Sequence, residues 1–202
     1  AGRGSRFGEE YKLPKPLLDV GGFPMVVRAT KNLPETGRKS FITLQGHINR
    51  HNADRLLYRF FPESQVLGIP EVTDGQATTC EMGIRHFGVA EDDPILISAC
   101  DQGQIYDQEE WDRIVKDESI DVAVWTITGH PTMRAKPEAW CWLLAEGDQI
   151  KDVYCKFLPS GLNSVTTPVV TGTMFFRKAK YFLDALAENR KRNFRTNGEF
   201  YV

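Results

Sequence analysis

From Pro24 to Thr128 the chain alternates short apolar runs with amphipathic segments, and that rhythm limits the folds open to it. Residues 39–45, 65–69, 94–100 and 121–128 read as strands. Between them, residues 24–33, 51–61, 76 to about 88 and 108–116 read as helices. Pro24 falls at a first helical turn, which proline suits because its missing N–H is not needed there. Thr73 or Asp74 is placed to cap the helix that opens at Gln76. The run Pro-Ile-Leu-Ile-Ser-Ala-Cys at 94–100 is apolar on both faces, as a central parallel strand must be. Strand and helix alternating at this spacing predict an α/β fold with a mixed, mainly parallel central sheet and helices on both faces. After Gly129 the rhythm changes. Residues 140–145 and 150–157 are strand-like runs around Glu-Gly-Asp-Gln, which predicts a β-hairpin insertion. Residues 169–176 read as a further strand, and 178–192 as an amphipathic helix with Phe182, Leu183 and Leu186 inside.

At 202 residues and 41% hydrophobic content, one domain over residues 1–202 buries a substantial core. The formal charge of −2 supplies no broad basic field, so nucleic acid and anionic membranes are not expected partners. No apolar run approaches the roughly 20 residues that span a bilayer, and no signal peptide is visible. The four cysteines are widely spaced without a Cys-x-x-Cys pair and read as reduced, mostly buried thiols, which predicts a cytoplasmic location.

The opening stretch carries the strongest chemical signal. Ala1-Gly2-Arg3-Gly4-Ser5-Arg6-Phe7 combines two glycines with fixed cations, and Lys12 and Lys15 follow. Glycine lets a backbone turn approach a ligand closely, and bare N–H groups in such a turn form an anion-binding concavity. The alternative is a flexible basic arm. The spacing is not the dinucleotide fingerprint, because Phe7 stands where a third glycine belongs, and residues 36–40 match a Walker A loop only in their last positions.

Together with Lys15-Pro16-Leu17-Leu18-Asp19-Val20-Gly21-Gly22-Phe23-Pro24-Met25, the opening resembles the signature of the sugar-phosphate nucleotidyltransferases. The resemblance spans most of the chain and is sharpest over residues 1–25 and around Asp101. It implies a Rossmann-like fold of the nucleotide-diphospho-sugar transferase type. It further implies joining of a nucleoside triphosphate to a sugar 1-phosphate, or a similar phosphorylated small molecule, with release of pyrophosphate. Ala1, Gly2 and Gly4 would wrap the triphosphate, with Arg6 and Lys15 as catalytic cations on its phosphates. Gly75 and Gln76 would read the nucleobase edge, the alternative being a helix start with an exposed amide. Lys156 and Gly172 would meet the sugar phosphate, the alternative for Lys156 being a solvated strand end.

Asp101 follows the apolar strand, so its carboxylate emerges at the sheet's carboxyl edge. There it serves either as a turn residue or as a ligand for Mg²⁺, which takes oxygen donors; the resemblance implies the metal role. A second metal carboxylate would be Glu199 or lie beyond Val202, since Asp184 sits inside an amphipathic helix. A loop of this kind normally follows a buried strand, so the chain reads as a fragment lacking an N-terminal strand and C-terminal residues. A homo-oligomer is compatible with the sequence, which does not fix the copy number. His47 and His51 have a zinc-compatible spacing but no accompanying ligand, so a surface helix is the preferred reading; Arg190 to Arg195 suit a helix C-terminus, and Trp140 and Trp142 cover core or a sugar pocket. Two rivals remain. One is a glycosyltransferase using a nucleotide sugar, against which Asp101-Gln102-Gly103 lacks a paired aspartate; the other is an inactive nucleotide-binding regulatory domain.

Overall fold

The computed structural model describes residues 13–35 and 37–201. A 3₁₀ turn at Lys15–Leu17 leads into two short antiparallel strands, β1 (Asp19–Val20) and β2 (Phe23–Pro24), and then α1 (Met25–Lys31). Pro24 is the N-cap of α1, one position earlier than the sequence implied, and α1 buries Val26, Val27 and Ala29. Strand β3 (Ser40–Leu44) runs directly into α2 (Gln45–His51), the surface helix preferred for His47 and His51, though it had no place in the strand–helix alternation. Asn52, at φ 49°, breaks the chain before α3 (Ala53–Phe60). Then come β4 (Gln65–Ile69), α4 (Gln76–His86), β5 (Ile95–Ile97), α5 (Gln108–Lys116), β6 (Val122–Ile127) and the short α6 (Pro131–Ala135). The hairpin of β7 (Cys141–Glu146) and β8 (Gln149–Cys155), then β9 (Val169–Phe176) and α7 (Ala179–Lys191), complete the order.

The expected sheet requires a correction. Among the described residues β3 and β4 pair in parallel, with Ser40 opposite Gln65, and form a two-stranded sheet. The larger sheet has five strands, with β9 paired to β5, β6 and β7, and β8 on β7, and every one of these pairings is antiparallel. The physical reason lies in β9. Val-Val-Thr-Gly-Thr-Met-Phe-Phe is buried along nearly its whole length, and it inserts against β5 and β6, which are parallel to one another but not adjacent. The apolar run at 94–100, expected as a central parallel strand, is β5, which among the described residues pairs only with β9 and runs antiparallel to it. Residues of β3 and β5 both line one cavity of about 610 Å³.

Packing follows the patterns. On α7, Ala179, Phe182 and Leu186 form one buried stripe against Ala77 and Ile84 of α4 and Met174 and Phe176 of β9. Each such large side chain contributes about 1.5–3 kcal/mol on burial. Leu183 is only partly buried at the edge of this cluster. A second cluster joins Val26 and Val27 of α1 to Leu57 of α3, with Phe41 and Val66 of the two-stranded sheet beside it. The third contains Met133, Trp142 and Val169, so Trp142 is a core residue, its indole N–H donating to the carbonyl of Pro137 at 2.9 Å. No helix among the described residues is long and apolar enough to cross a membrane.

Candidate functional site

The cavity is walled by the 3₁₀ turn, β3, the start of α4 and the loop after β5. Lys15 lies on the turn, where Pro14 and Pro16 fix the backbone and the amide of Leu17 bonds back to the carbonyl of Pro14 at 2.8 Å. Asp101 stands beyond β5. The strand pairing continues past Ile97, because the amide of Ala99 donates to the carbonyl of Gly172 at 3.1 Å. Asp101 is thereby held two residues from a fixed point. The Lys15 ammonium and the Asp101 Oδ2 form an ion pair across 86 residues of sequence, with side chains 27% and 30% exposed. Opposite charges that far apart in the chain and still in contact with water are placed to exchange partners with an incoming anion and cation.

Gly75 and Gln76 line the same cavity at the N-terminus of α4. Neither Thr73 nor Asp74 caps this helix; Gly75 is the N-cap, with no side-chain cap bond. The Thr73 hydroxyl instead donates to the carbonyl of Gly75 at 2.7 Å, and Asp74 Oδ1 accepts from the Thr78 hydroxyl at 2.6 Å. Asp74 titrates below the ordinary aspartate range, chiefly through that hydroxyl and further through Arg195, which outweigh its slight burial. Gly75 has φ +140°, and a Cβ there would sit 2.1 Å from the carbonyl oxygen of Phe200. The glycine is therefore required by a chain segment that crosses it, whatever it also does for a ligand.

That segment was missed by the sequence reading except for Glu199. Phe200 is 2% exposed, its amide donates to the carbonyl of Asp74 at 2.8 Å, and its carbonyl accepts from the amide of Ala77 at 3.2 Å. The basic cluster at the end of α7 clamps it. Arg195 pairs with Asp74 at 3.2 Å and lies 4.1 Å over the Phe200 ring, while Arg190 pairs with Glu81 at 2.6 Å. These arginines are structural, and Glu199 is delivered to the cavity wall.

Lys156 and Gly172 are not among the residues lining the cavity. Lys156, at φ 60°, donates its ammonium to the carbonyl of Ala139 and lies 5.4 Å over the Tyr201 ring, two residues from Glu199. Gly172 sits where β9 carries three residues, 171 to 173, against Trp125 of β6. Its φ is +92°, and a Cβ there would be 3.3 Å from that of Ala99. The structure thus gathers Lys15, Gly75, Gln76 and Asp101 and leaves Lys156 and Gly172 beside them. Ala1, Gly2, Gly4 and Arg6 lie outside the described residues. His47, set aside as a zinc ligand, is also in the cavity wall, facing the Thr43 hydroxyl at 3.2 Å. Burial first, then the neighbouring His51 and Arg50, lowers its pKa, favouring a neutral imidazole.

Among the described residues no group of three or more His, Cys, Asp or Glu could hold a metal ion. The two carboxylates that line the cavity, Asp101 and Glu199, are hard oxygen donors. One or two carboxylates plus water and substrate phosphate is the set Mg²⁺ takes, so these residues fit that ion.

Comparison with known proteins agrees on the fold. A nucleoside-diphosphate-sugar pyrophosphorylase from Vibrio cholerae RC9 superposes with a TM-score of 0.73 at 17% identity, over 100% of this chain and 82% of that one. The inositol-1-phosphate CTP transferase from T. maritima gives 0.69 at 15%, over 100% and 74%. A UDP-glucose pyrophosphorylase complexed with UDP-glucose gives 0.64 at 16%, over 100% and 80%. No curated protein matches by sequence. Residues 1–188 match the family described as the MobA-like NTP transferase domain, and with that match over most of its length the chain belongs to this family.

Proposed function

We propose that this chain joins a nucleoside triphosphate to a sugar 1-phosphate, or a closely similar phosphorylated small molecule, and releases pyrophosphate. The observation that carries this reading is the Lys15–Asp101 pair on the wall of a cavity shared with Gly75 and Gln76. Family membership supports nucleotidyl transfer in general. The solved structures of like fold include two pyrophosphorylases of nucleotide sugars and a CTP transferase for inositol 1-phosphate, which favours a phosphorylated polyol or sugar as acceptor.

Phosphoryl-type transfer needs positioning and charge stabilisation more than covalent work from the protein. The acceptor's phosphate oxygen attacks the α-phosphorus, the bond to the bridging oxygen breaks, and pyrophosphate leaves with the electron pair. Lys15 supplies an ammonium that a triphosphate recruits away from Asp101, offsetting charge on the departing group. Gln76 offers an amide that donates and accepts at once, which suits a nucleobase edge. Asp101, with Glu199 on the same wall, would hold Mg²⁺, which when bound offsets charge on the phosphate oxygens. Incubation with each nucleoside triphosphate, Mg²⁺ and a panel of sugar and polyol phosphates should release pyrophosphate with one pair. Release with no pair overturns the reading, and the rival that consumes a finished nucleotide sugar would release none.

A further inference from the structure

The β7–β8 hairpin sets Cys141 directly opposite Cys155. The amide of Lys156 donates to the carbonyl of Trp140 at 2.9 Å, joining the residue after one cysteine to the residue before the other. In an antiparallel ladder that bond makes Cys141 and Cys155 a non-hydrogen-bonded pair, with Cα atoms about 4.5 Å apart and side chains drawn together. A disulfide spans Cα separations of about 4.4–6.8 Å. Both thiols are free and only partly buried. Cys80 lies within α4 and Cys100 follows β5, so neither faces a second cysteine across a strand pair.

We propose that Cys141 and Cys155 form a dithiol site that exchanges with a low-molecular-weight disulfide of the glutathione class and closes reversibly to a cross-strand disulfide. Cys155 is the attacking group. The facing Cys141 thiol, then the Thr196 hydroxyl and the Lys156 ammonium, lower its pKa against the opposing effect of burial. The facing Cys155 thiol, followed by burial, raises that of Cys141. The Cys155 thiolate attacks one sulfur of oxidised glutathione, the S–S bond breaks, and one glutathione thiolate leaves and takes a proton from water. Cys141 then gives its proton to water and attacks the Cys155 sulfur, releasing the second glutathione. Two protein thiols are oxidised and one glutathione disulfide is reduced, so no further oxidant is needed. Closure would fix the hairpin end where Lys156 leaves the ladder. The proposal is independent of the nucleotidyl-transfer reading, and its test does not measure turnover.

The chain is treated with oxidised glutathione at neutral pH, its remaining thiols are alkylated, and its peptides are mapped by mass. A Cys141–Cys155 cross-link that dithiothreitol reverses, with Cys80 and Cys100 still alkylated, is expected. Cys141→Ser should trap glutathione on Cys155, whereas Cys155→Ser should be modified at least about 10-fold more slowly. Four thiols still titratable, glutathione on Cys80 or Cys100 instead, or equal rates in the two variants would overturn the proposal. Should either variant fail to fold, iodoacetamide labelling of the unsubstituted chain decides: Cys155 is expected to react first, and labelling no faster than at Cys80 overturns it.

Discussion

At the start of α4 the backbone of Asp74 and Ala77 is bonded to Phe200, a ring 2% exposed, and Gly75 has no room for a Cβ. Across the same cavity Lys15 and Asp101 meet through side chains that keep more than a quarter of their surface in water. The first corner is held by backbone bonds and close packing, whose loss cannot be repaired by solvent. The second is held by charge, which water and ligands replace at little cost, since exposed ion pairs contribute only about 0–1 kcal/mol. The contrast is a division of labour: a rigid corner that shapes the cavity and an exchangeable one that, in the proposed function, meets phosphate.

Mutations should separate the two corners by the quantity they change. Phe200→Ala empties a buried site at the rigid corner and should lower unfolding free energy by about 3–5 kcal/mol in urea titration. Asp101→Ala should do the opposite: pyrophosphate release falls at least about 100-fold, near 3 kcal/mol of barrier, with a melting temperature within about 2 °C of the parent. A large stability loss in that variant would erase the contrast. Gly75→Ala forces a side chain into positive φ against Phe200 and should cost about 2 kcal/mol or more of stability.

The smallest effect sharpens the comparison through pH. The carboxylate of Asp74 is held below its ordinary range by Thr78 and Arg195, so it stabilises the folded chain fully above the unfolded pKa near 4 and less as pH falls through the depressed value. The melting-temperature gap between the parent and Asp74→Asn should therefore be about 1–3 °C at neutral pH and close in acid. A gap that widens as pH falls would show that Asp74 does not anchor the segment through its charge.

Elements with strong periodicity were legible from residues alone. β4, α5 and β9 match their expected bounds, and α7 matches to within a residue at each end. What escaped has physical causes. α2 has Ile48 as its sole large apolar residue, so no amphipathic period marks it. Strand direction is a property of partners, and nothing inside Val-Val-Thr-Gly-Thr-Met-Phe-Phe says that its neighbours run the other way. The Phe200 segment is aperiodic and becomes visible only once Gly75 and Arg195 close on it. Cys141 and Cys155 are separated by the hairpin that brings them together, so their spacing in sequence hides their contact. At the site, Lys15 and Asp101 were recognisable because their chemistry is local to a proline-flanked turn and a strand end. Glu199 reaches the wall only through the fold, and His47, though noticed, had no visible reason to face inward.

The contact between Gly172 and Ala99 makes one strand a gauge for another. Any side chain at 172 presses on the Cβ of Ala99, two residues before Asp101. A substitution there would reach that carboxylate through Ala99 without touching it, so an activity loss in a scan of β9 is expected to follow from a shifted Asp101 even where residue 172 meets no ligand.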